Sequence, residues 1–364
     1  MQKKPIISRI IEGAKNCDPD PIISGYLEQK NKHNEMIVSS LSQPLVTVIM
    51  PVYNGARYVS EAIESILFQT YQNFELIIVN DGSNDDSKAV ITPYLKDLRI
   101  RYFEQCNAGV AAARNAAIKE SQGEFIGFLD QDDYWHINKL KIQVEYLKTH
   151  QDTSLVYSDY EILNEANNEI ENVSKIVDFD LSECDFVPLF SKNRIGALTV
   201  LTYKRCILSS GQFDENLKGT DDYELWLKIA LQYKLVYQPV ALATYRLHET
   251  NASRNVLKML IFEAMALSNI IKNYRLSARL LGRKTIKNRL YPLYKKIGDL
   301  VVMVNKDRKS ARSFYFKAFR YNPFDFDLAC KILSTYIPPY TLRYITWQYR
   351  KVLNILANTK NHAR

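Results

Sequence analysis

The sequence predicts an α/β protein, with a mostly parallel sheet, helices on both faces, and a basic helical region after it. Three observations predict it. Between residues 45 and 150, short β-branched runs alternate with helical patterns, the order expected of a parallel sheet. Three of those runs end in polar turn clusters (Tyr53-Asn54, Asp81, and Asp130 with Asp132), at the strand ends where open α/β sheets bind ligands. The charge is also divided. Residues 1–255 carry 26 Lys+Arg against 35 Asp+Glu, a balance of −9, whereas residues 256–364 carry 22 against 5, a balance of +17. An acidic domain followed by a strongly basic segment is an organisation in itself.

Residues 1–44 read as a polar arm punctuated by Pro5, Pro19, Pro21 and Pro44, with no chemistry assigned. Leu45–Met50 is the first strand and stops at Pro51, and Pro51–Gly55 is a turn. Ala62, Ile63, Ile66 and Leu67 mark a helix within residues 57–70, and Phe74–Val79 is a second strand ending in Asn80-Asp81-Gly82-Ser83. Ser83 and Asp85 start a helix holding Ala89 and Val90. Ile100–Phe103 is a third strand, and Asn107-Ala108-Gly109 turns into an Ala-rich helix over Val110–Ile118 that carries Arg114.

Phe125–Leu129 is an apolar run broken only by Gly127, and it leads into Asp130-Gln131-Asp132-Asp133. Such a run fits a strand buried in a parallel sheet. Crowded carboxylates repel one another unless a cation or proton relieves them. Asp130 and Asp132 could therefore hold a divalent metal, and the metal a phosphate. A helix around Lys139–Lys148 and a strand over Leu155–Asp159 follow, and Asn164–Ser174 reads as a surface excursion. A helix starts near Asp222, which places Asp221 and Asp222 at the positive end of its dipole. Val236–His248 has strand character. Beyond Asn255 come basic helical segments: Val256–Ile271, Ala278–Leu281, Leu293–Val304 and Ala311–Phe319.

Several classes are excluded. No G-x-G-x-x-G or G-x-x-x-x-G-K-[ST] occurs, so neither dinucleotide nor P-loop binding is indicated. The five cysteines are scattered and odd in number, which argues against a disulfide framework or zinc site and suits a reducing compartment. No stretch has the ~18 uninterrupted apolar residues of a membrane span. The basic region carries no recognised nucleic-acid motif, and nucleic acid is not an expected partner.

The four motifs in their order resemble the nucleotide-sugar half of the family 2 glycosyltransferases: Val48–Asn54, Val79–Ser83, Asn107–Gly109 with Ala113-Arg114-Asn115, and Phe128–Asp133. The resemblance covers about residues 45–150 and implies the GT-A fold. It places Pro51, Tyr53, Asn54, Asp81 and Arg114 at the nucleoside, Asp130 at the ribose, and Asp132 at a Mn2+ or Mg2+ ion on the diphosphate. Asp221-Asp222 is similar to the family's Glu-Asp pair, with its first acid one methylene shorter, so Asp222 is the expected general base and Asp221 the second choice. Tyr245-Arg246-Leu247-His248 is similar to the family's closing element, which implies a metal or diphosphate role for His248 and a phosphate role for Arg246.

The resemblance therefore implies an inverting transferase that uses a nucleotide diphosphate sugar, with uridine as the family-level expectation. Its acceptor would be a glycan or lipid-linked hydroxyl, as in cell-surface polysaccharide synthesis. No Gln-x-x-Arg-Trp occurs, so one sugar per encounter is expected. The expected domains are the arm over 1–44, the GT-A domain over 45–255, and the basic region over 256–364. The last could meet an anionic membrane, giving a cytoplasmic enzyme peripheral on the inner leaflet. The alternatives are a sugar nucleotidyltransferase, which would release diphosphate instead of a nucleoside diphosphate, and a non-catalytic nucleotide- or glycan-binding module.

Overall fold

The computed structural model describes residues 43–172, 186–338, 340 and 341. The reading of 1–44 as an arm therefore lies almost wholly outside the described residues. The chain divides into two compact units, Met1–Arg254 and Asn255–Arg364.

In the first unit β1 (Val46–Val52) is wholly buried and leads into α1 (Val59–Leu67). Next come β2 (Phe74–Asn80), α2 (Ser87–Ile91) and β3 (Ile100–Glu104), then α3 (Val110–Glu120), β4 (Phe125–Phe128) and β5 (Tyr134–Trp135). After α4 (Lys139–Thr149), the long β6 (Thr153–Asn164) turns back into β7 (Glu169–Asn172). The unit closes with α5 (Phe186–Ser191), β8 (Leu201–Tyr203), α6 (Lys204–Ser209), α7 (Asp221–Ala230) and β9 (Lys234–Leu247).

The strands form one mixed sheet in the order β3-β2-β1-β4-β8-β6-β9-β5, with β7 paired to β6. β1, β2, β3 and β4 are mutually parallel, as the alternation predicts. Beyond β4 the sheet changes character. β8 pairs antiparallel with both β4 and β6, while β6 and β9 are parallel. Pro51 lies inside β1 and not at its end, and Asn164–Ser174 is partly a hairpin in which Leu163 opposes Ile170.

The core gathers Val48, Met50, Ile63, Ile66, Leu76, Ile78, Leu140 and Val144 around Trp135. Each buried side chain of this size contributes about 2 kcal/mol over its exposed state. Trp135 is fully buried, and its Nε1 donates to the Leu198 carbonyl at 2.8 Å. Its ring explains the break in β4, because a Cβ at Gly127 would stand 2.9 Å from Trp135.

The second unit is helical: α8 (Val256–Asn273), α9 (Arg275–Leu300), α10 (Arg308–Phe319) and α11 (Phe326–Ser334). α9 runs through the gap expected between two shorter helices. It is kinked where Gly282 leaves helical geometry at φ 64°, and it contains Pro292. Asp307 and Asp325 cap α10 and α11 by accepting the N–H groups of Ser310 and Leu328. Among the described residues no helix is long and apolar enough to cross a membrane.

Candidate active site

Four loops meet above the parallel strands, and side-chain bonds to backbone hold them in register. The loop after β1 is tied to the loop after β2. Asn54 N donates to Ser83 Oγ at 3.0 Å, Gly55 N to Ser87 Oγ at 2.8 Å, and Ala56 N to Asp85 Oδ2 at 3.0 Å. The loop after β2 is tied in turn to the loop after β3 through Asp81, which is 3% exposed. Its Oδ1 accepts from Gln105 Nε2 at 2.7 Å and Ala108 N at 2.8 Å, and its Oδ2 accepts from Gly109 N at 2.8 Å. Both oxygens thus build the entrance to α3.

Between these loops lies a cavity of about 240 Å³ lined by Pro51, Val52, Tyr53, Asp81, Val110, Asp130, Gln131, Asp132 and Ala252. Apolar and aromatic residues share the lining with three acids, a composition suited to an organic ring with hydroxyl donors, and to an anionic group only where a cation lies between it and the carboxylates. The structure thus brings Pro51, Tyr53, Asp81, Asp130 and Asp132 together around one space. Asn54 does not line it. Its φ is 51°, and its Oδ1 accepts from Asn84 N at 2.9 Å.

Arg114 also stands outside the cavity lining. Its guanidinium is 4% exposed, with Nη2 donating to Asp130 at 2.8 and 3.1 Å and Nη1 to Asp221 Oδ2 at 2.9 Å. Its Nε is buried without a partner. Burial alone would lower the Arg114 pKa, but the Asp130, Asp221 and Asp222 carboxylates outweigh it and the pKa is raised. One cation therefore connects an acid of the cavity to the first turn of α7.

Asp221 is 1% exposed, and burial raises its pKa against the opposing pull of Arg114. Asp222 follows it, with Oδ1 accepting from Tyr223 N at 2.7 Å. Burial and the neighbouring Asp221 raise its pKa to about 7. A carboxylate poised near neutrality is matched to accepting a proton at physiological pH.

On the other flank Asp132 Oδ2 lies 2.9 Å from His248 Nε2 and accepts from Asn251 Nδ2 at 3.4 Å. His248 Nδ1 lies 2.9 Å from Thr250 Oγ1, so a second bond orients the ring. Among the described residues no group of three or more His, Cys, Asp or Glu side chains is arranged to hold a metal. One carboxylate beside one imidazole is nevertheless a donor set that fits Mn2+, and the carboxylate alone suits Mg2+; such ions commonly take few protein ligands and complete their shells with phosphate oxygens and water. Asp133 is buried and accepts from Arg246 N at 2.9 Å. Burial and the charges of Asp132 and Asp130 hold its pKa well above the carboxylate range.

Arg246 faces inward. Its Nε donates to the Asp132 carbonyl at 2.9 Å, its Nη2 pairs with Glu61, and its guanidinium lies 5.0 Å from the Tyr58 ring centre. It braces the acidic turn from behind. Three supporting residues escape a reading of the sequence alone: Glu61, Gln131 and Asn251. Asn251 had a local signal, because an amide three residues after His248 can fold back on it. Its Oδ1 accepts from His248 N, and its Nδ2 donates to the Arg246 carbonyl at 3.1 Å. Glu61 and Gln131 act through contacts far apart in the chain.

The chain is similar to known proteins in sequence and in fold. The family pattern described as Glycosyl transferase family 2 matches residues 47–182. An uncharacterized glycosyltransferase of Rickettsia typhi is 34% identical over 220 residues, spanning 60% of this chain and 68% of that protein. Other rickettsial relatives are longer, and the match spans 31–36% of their length. The Escherichia coli UDP-Glc:alpha-D-GlcNAc-diphosphoundecaprenol beta-1,3-glucosyltransferase WfgD is 35% identical over 63% of this chain and 87% of its own. Among solved structures, the Pyrobaculum calidifontis mannosyltransferase PcManGT in complex with GDP-Man and Mn2+ superposes with a TM-score of 0.53 at 16% identity. That match covers 80% of this chain and 86% of the other.

Proposed function

The chain belongs to glycosyl transferase family 2 and has the GT-A fold, and from that premise we propose an inverting transfer of one sugar from a nucleoside diphosphate sugar to a hydroxyl acceptor. Pro51 and Tyr53 wall the base, and Asp130 accepts from the ribose. Asp132 and His248 would hold Mn2+ or Mg2+, which supplies neutralisation of the diphosphate leaving group. Asp222 takes the acceptor hydroxyl proton as that oxygen attacks the anomeric carbon, and the bond to the diphosphate breaks with its electron pair leaving on the nucleotide. Attack opposite the leaving group inverts the anomeric centre.

The observation that carries this reading is the Arg114 bridge. One guanidinium reaches Asp130 on the cavity and Asp221 beside Asp222, so the nucleotide acids and the base belong to one charged network. The donor is proposed to be a UDP-sugar and the acceptor a lipid-linked glycan, chemistry carried by the name of the 35% identical WfgD. Product analysis tests it. Release of UDP with transfer of the sugar is expected, lost in Asp222→Asn, and release of inorganic diphosphate would overturn it.

A membrane-bound acceptor gives the basic unit a use. No Asp or Glu occurs between residues 264 and 298. Along α8 and α9 the exposed cations Lys272, Arg275, Arg279 and Arg283 accompany Leu276 and Leu280, each 50% exposed. Each such cation contributes about 1 kcal/mol near an anionic lipid surface. The full chain is therefore expected to float with vesicles containing phosphatidylserine. Arg275→Glu with Arg279→Glu should weaken this, and undiminished flotation of that variant would remove the membrane role.

A further inference from the structure

We propose that Gln131, the middle residue of the acidic turn, is the positioning residue for the nucleotide wall: its carboxamide fixes the Tyr53 backbone, and the missing Cβ of Gly55 makes room for it. The proposal rests on the reading of Tyr53 as part of the nucleoside site.

Tyr53 N donates to Gln131 Oε1 at 2.8 Å, and Gln131 Nε2 donates to the Tyr53 carbonyl at 2.9 Å. The pair links positions 78 residues apart. One planar carboxamide thus holds both peptide groups of a single residue, which sets the direction in which the Tyr53 side chain leaves the chain. That matters because the ring itself is 46% exposed and gains little orientation from packing. The clamp also joins the two sides of the cavity, since Tyr53 follows β1 and Gln131 lies between Asp130 and Asp132. A shift of the acidic turn would carry the wall with it.

Gly55 supplies the steric half. A Cβ there would stand 2.2 Å from Gln131 Oε1 and 2.5 Å from its Cδ, too close for both to be present. Gly55 is not among the residues with positive φ, so its backbone accepts alanine. Gly55 N and O are occupied by Ser87 and by Tyr58 and Val59, bonds that a methyl group does not remove. Gly55→Ala therefore expels the carboxamide and leaves the loop tied. A one-carbon addition should then reproduce the loss of the amide.

The two hydrogen bonds hold the wall in place before a nucleotide arrives, and that preorganisation is realised in binding. Titration calorimetry of the full chain with UDP and Mn2+, alongside steady-state kinetics, tests the idea. Gln131→Ala and Gly55→Ala are each expected to weaken UDP about tenfold, with the donor KM raised by a similar factor and kcat within about twofold. The double variant should be no weaker than either single one, because both remove the same contact. Multiplicative losses, or unchanged UDP affinity in Gln131→Ala while Tyr53→Ala weakens binding, would overturn the proposal alone. Unchanged affinity in Tyr53→Ala would remove the reading on which it rests, and the proposal with it.

Discussion

Arg114 and Asp221, 107 positions apart, meet at 2.9 Å with side chains 4% and 1% exposed. Nη2 of the same guanidinium donates to both oxygens of Asp130, so one cation stands between the cavity and α7. Removing it would leave a buried carboxylate uncompensated, which costs about 3 kcal/mol or more. Arg114→Ala is expected to lower the unfolding midpoint in urea at unchanged slope, and Asp221→Asn in the same chain should recover part of the loss. An Arg114→Ala protein as stable as the parent would show that the bridge carries no stability.

Asp222 links activity and stability with opposite signs. Its folded pKa, about 7, is above the unfolded value because burial and Asp221 oppose its ionisation. The folded state therefore binds the extra proton, and this contribution to stability is fully present below about pH 4 and lost as pH rises through 7. The proposed base, in contrast, must be ionised. The kcat/KM profile is expected to rise through an apparent pKa near 7 while the unfolding temperature falls over the same range. Asp222→Asn should abolish turnover and raise the unfolding temperature at pH 8 by about 2 °C or more. A pH-independent difference between the two proteins would refute the linkage.

The parallel half of the sheet is legible because its signals are local. β1, β2 and β4 are largely apolar runs followed at once by turn residues, and the polar clusters at their ends arrive at the sheet edge by topology alone. β5 and β8 contain two and three residues, too few for any periodicity, and β8 enters the sheet antiparallel between β4 and β6. The hairpin at β7 was hidden because Glu169, Ile170 and Glu171 are all exposed, so the strand carries no buried face to mark it. At the site, residue type indicated chemistry but not partners. Arg114 carries the charge a nucleotide needs, yet two carboxylates hold it. Asp81 reaches the cavity, yet backbone donors from the next loop occupy its oxygens. Helical spacing assigns a residue to a face, and only the tertiary register decides what meets that face.

Lys139 offers a second pH signature, opposite to that of Asp222. It is 0% exposed, 4.5 Å from the Trp135 ring centre, and donates to Gln143 and to the Thr199 and Val200 carbonyls. Burial holds its pKa well below the lysine range. The folded state therefore binds fewer protons there than the unfolded chain, and the contribution of Lys139 to stability improves as pH rises toward 10. Lys139→Met should compare most favourably with the parent at pH 6 and least at pH 9 in thermal denaturation. The reverse order would exclude a deprotonation cost at this site.

The Asp132–His248 pair makes a prediction that separates ion binding from turnover. The carboxylate and imidazole are 2.9 Å apart, with Thr250 and Asn251 holding the ring and the turn. Few protein ligands mean that a metal gains much of its affinity from the nucleotide diphosphate. Mn2+ alone should therefore shift the unfolding temperature little, UDP alone modestly, and both together by more than the sum of the two. His248→Ala should raise the Mn2+ concentration needed for half of the combined shift by about 10-fold or more, with Thr250→Val in the same direction but weaker. Asp132→Ala should abolish the Mn2+-dependent part while leaving a UDP shift, since Pro51, Tyr53 and Asp130 remain. Calorimetric titration in which Mn2+ and UDP bind independently, or a His248→Ala protein with an unchanged Mn2+ requirement, would remove the pair from the metal site and leave His248 as a brace for the acidic turn.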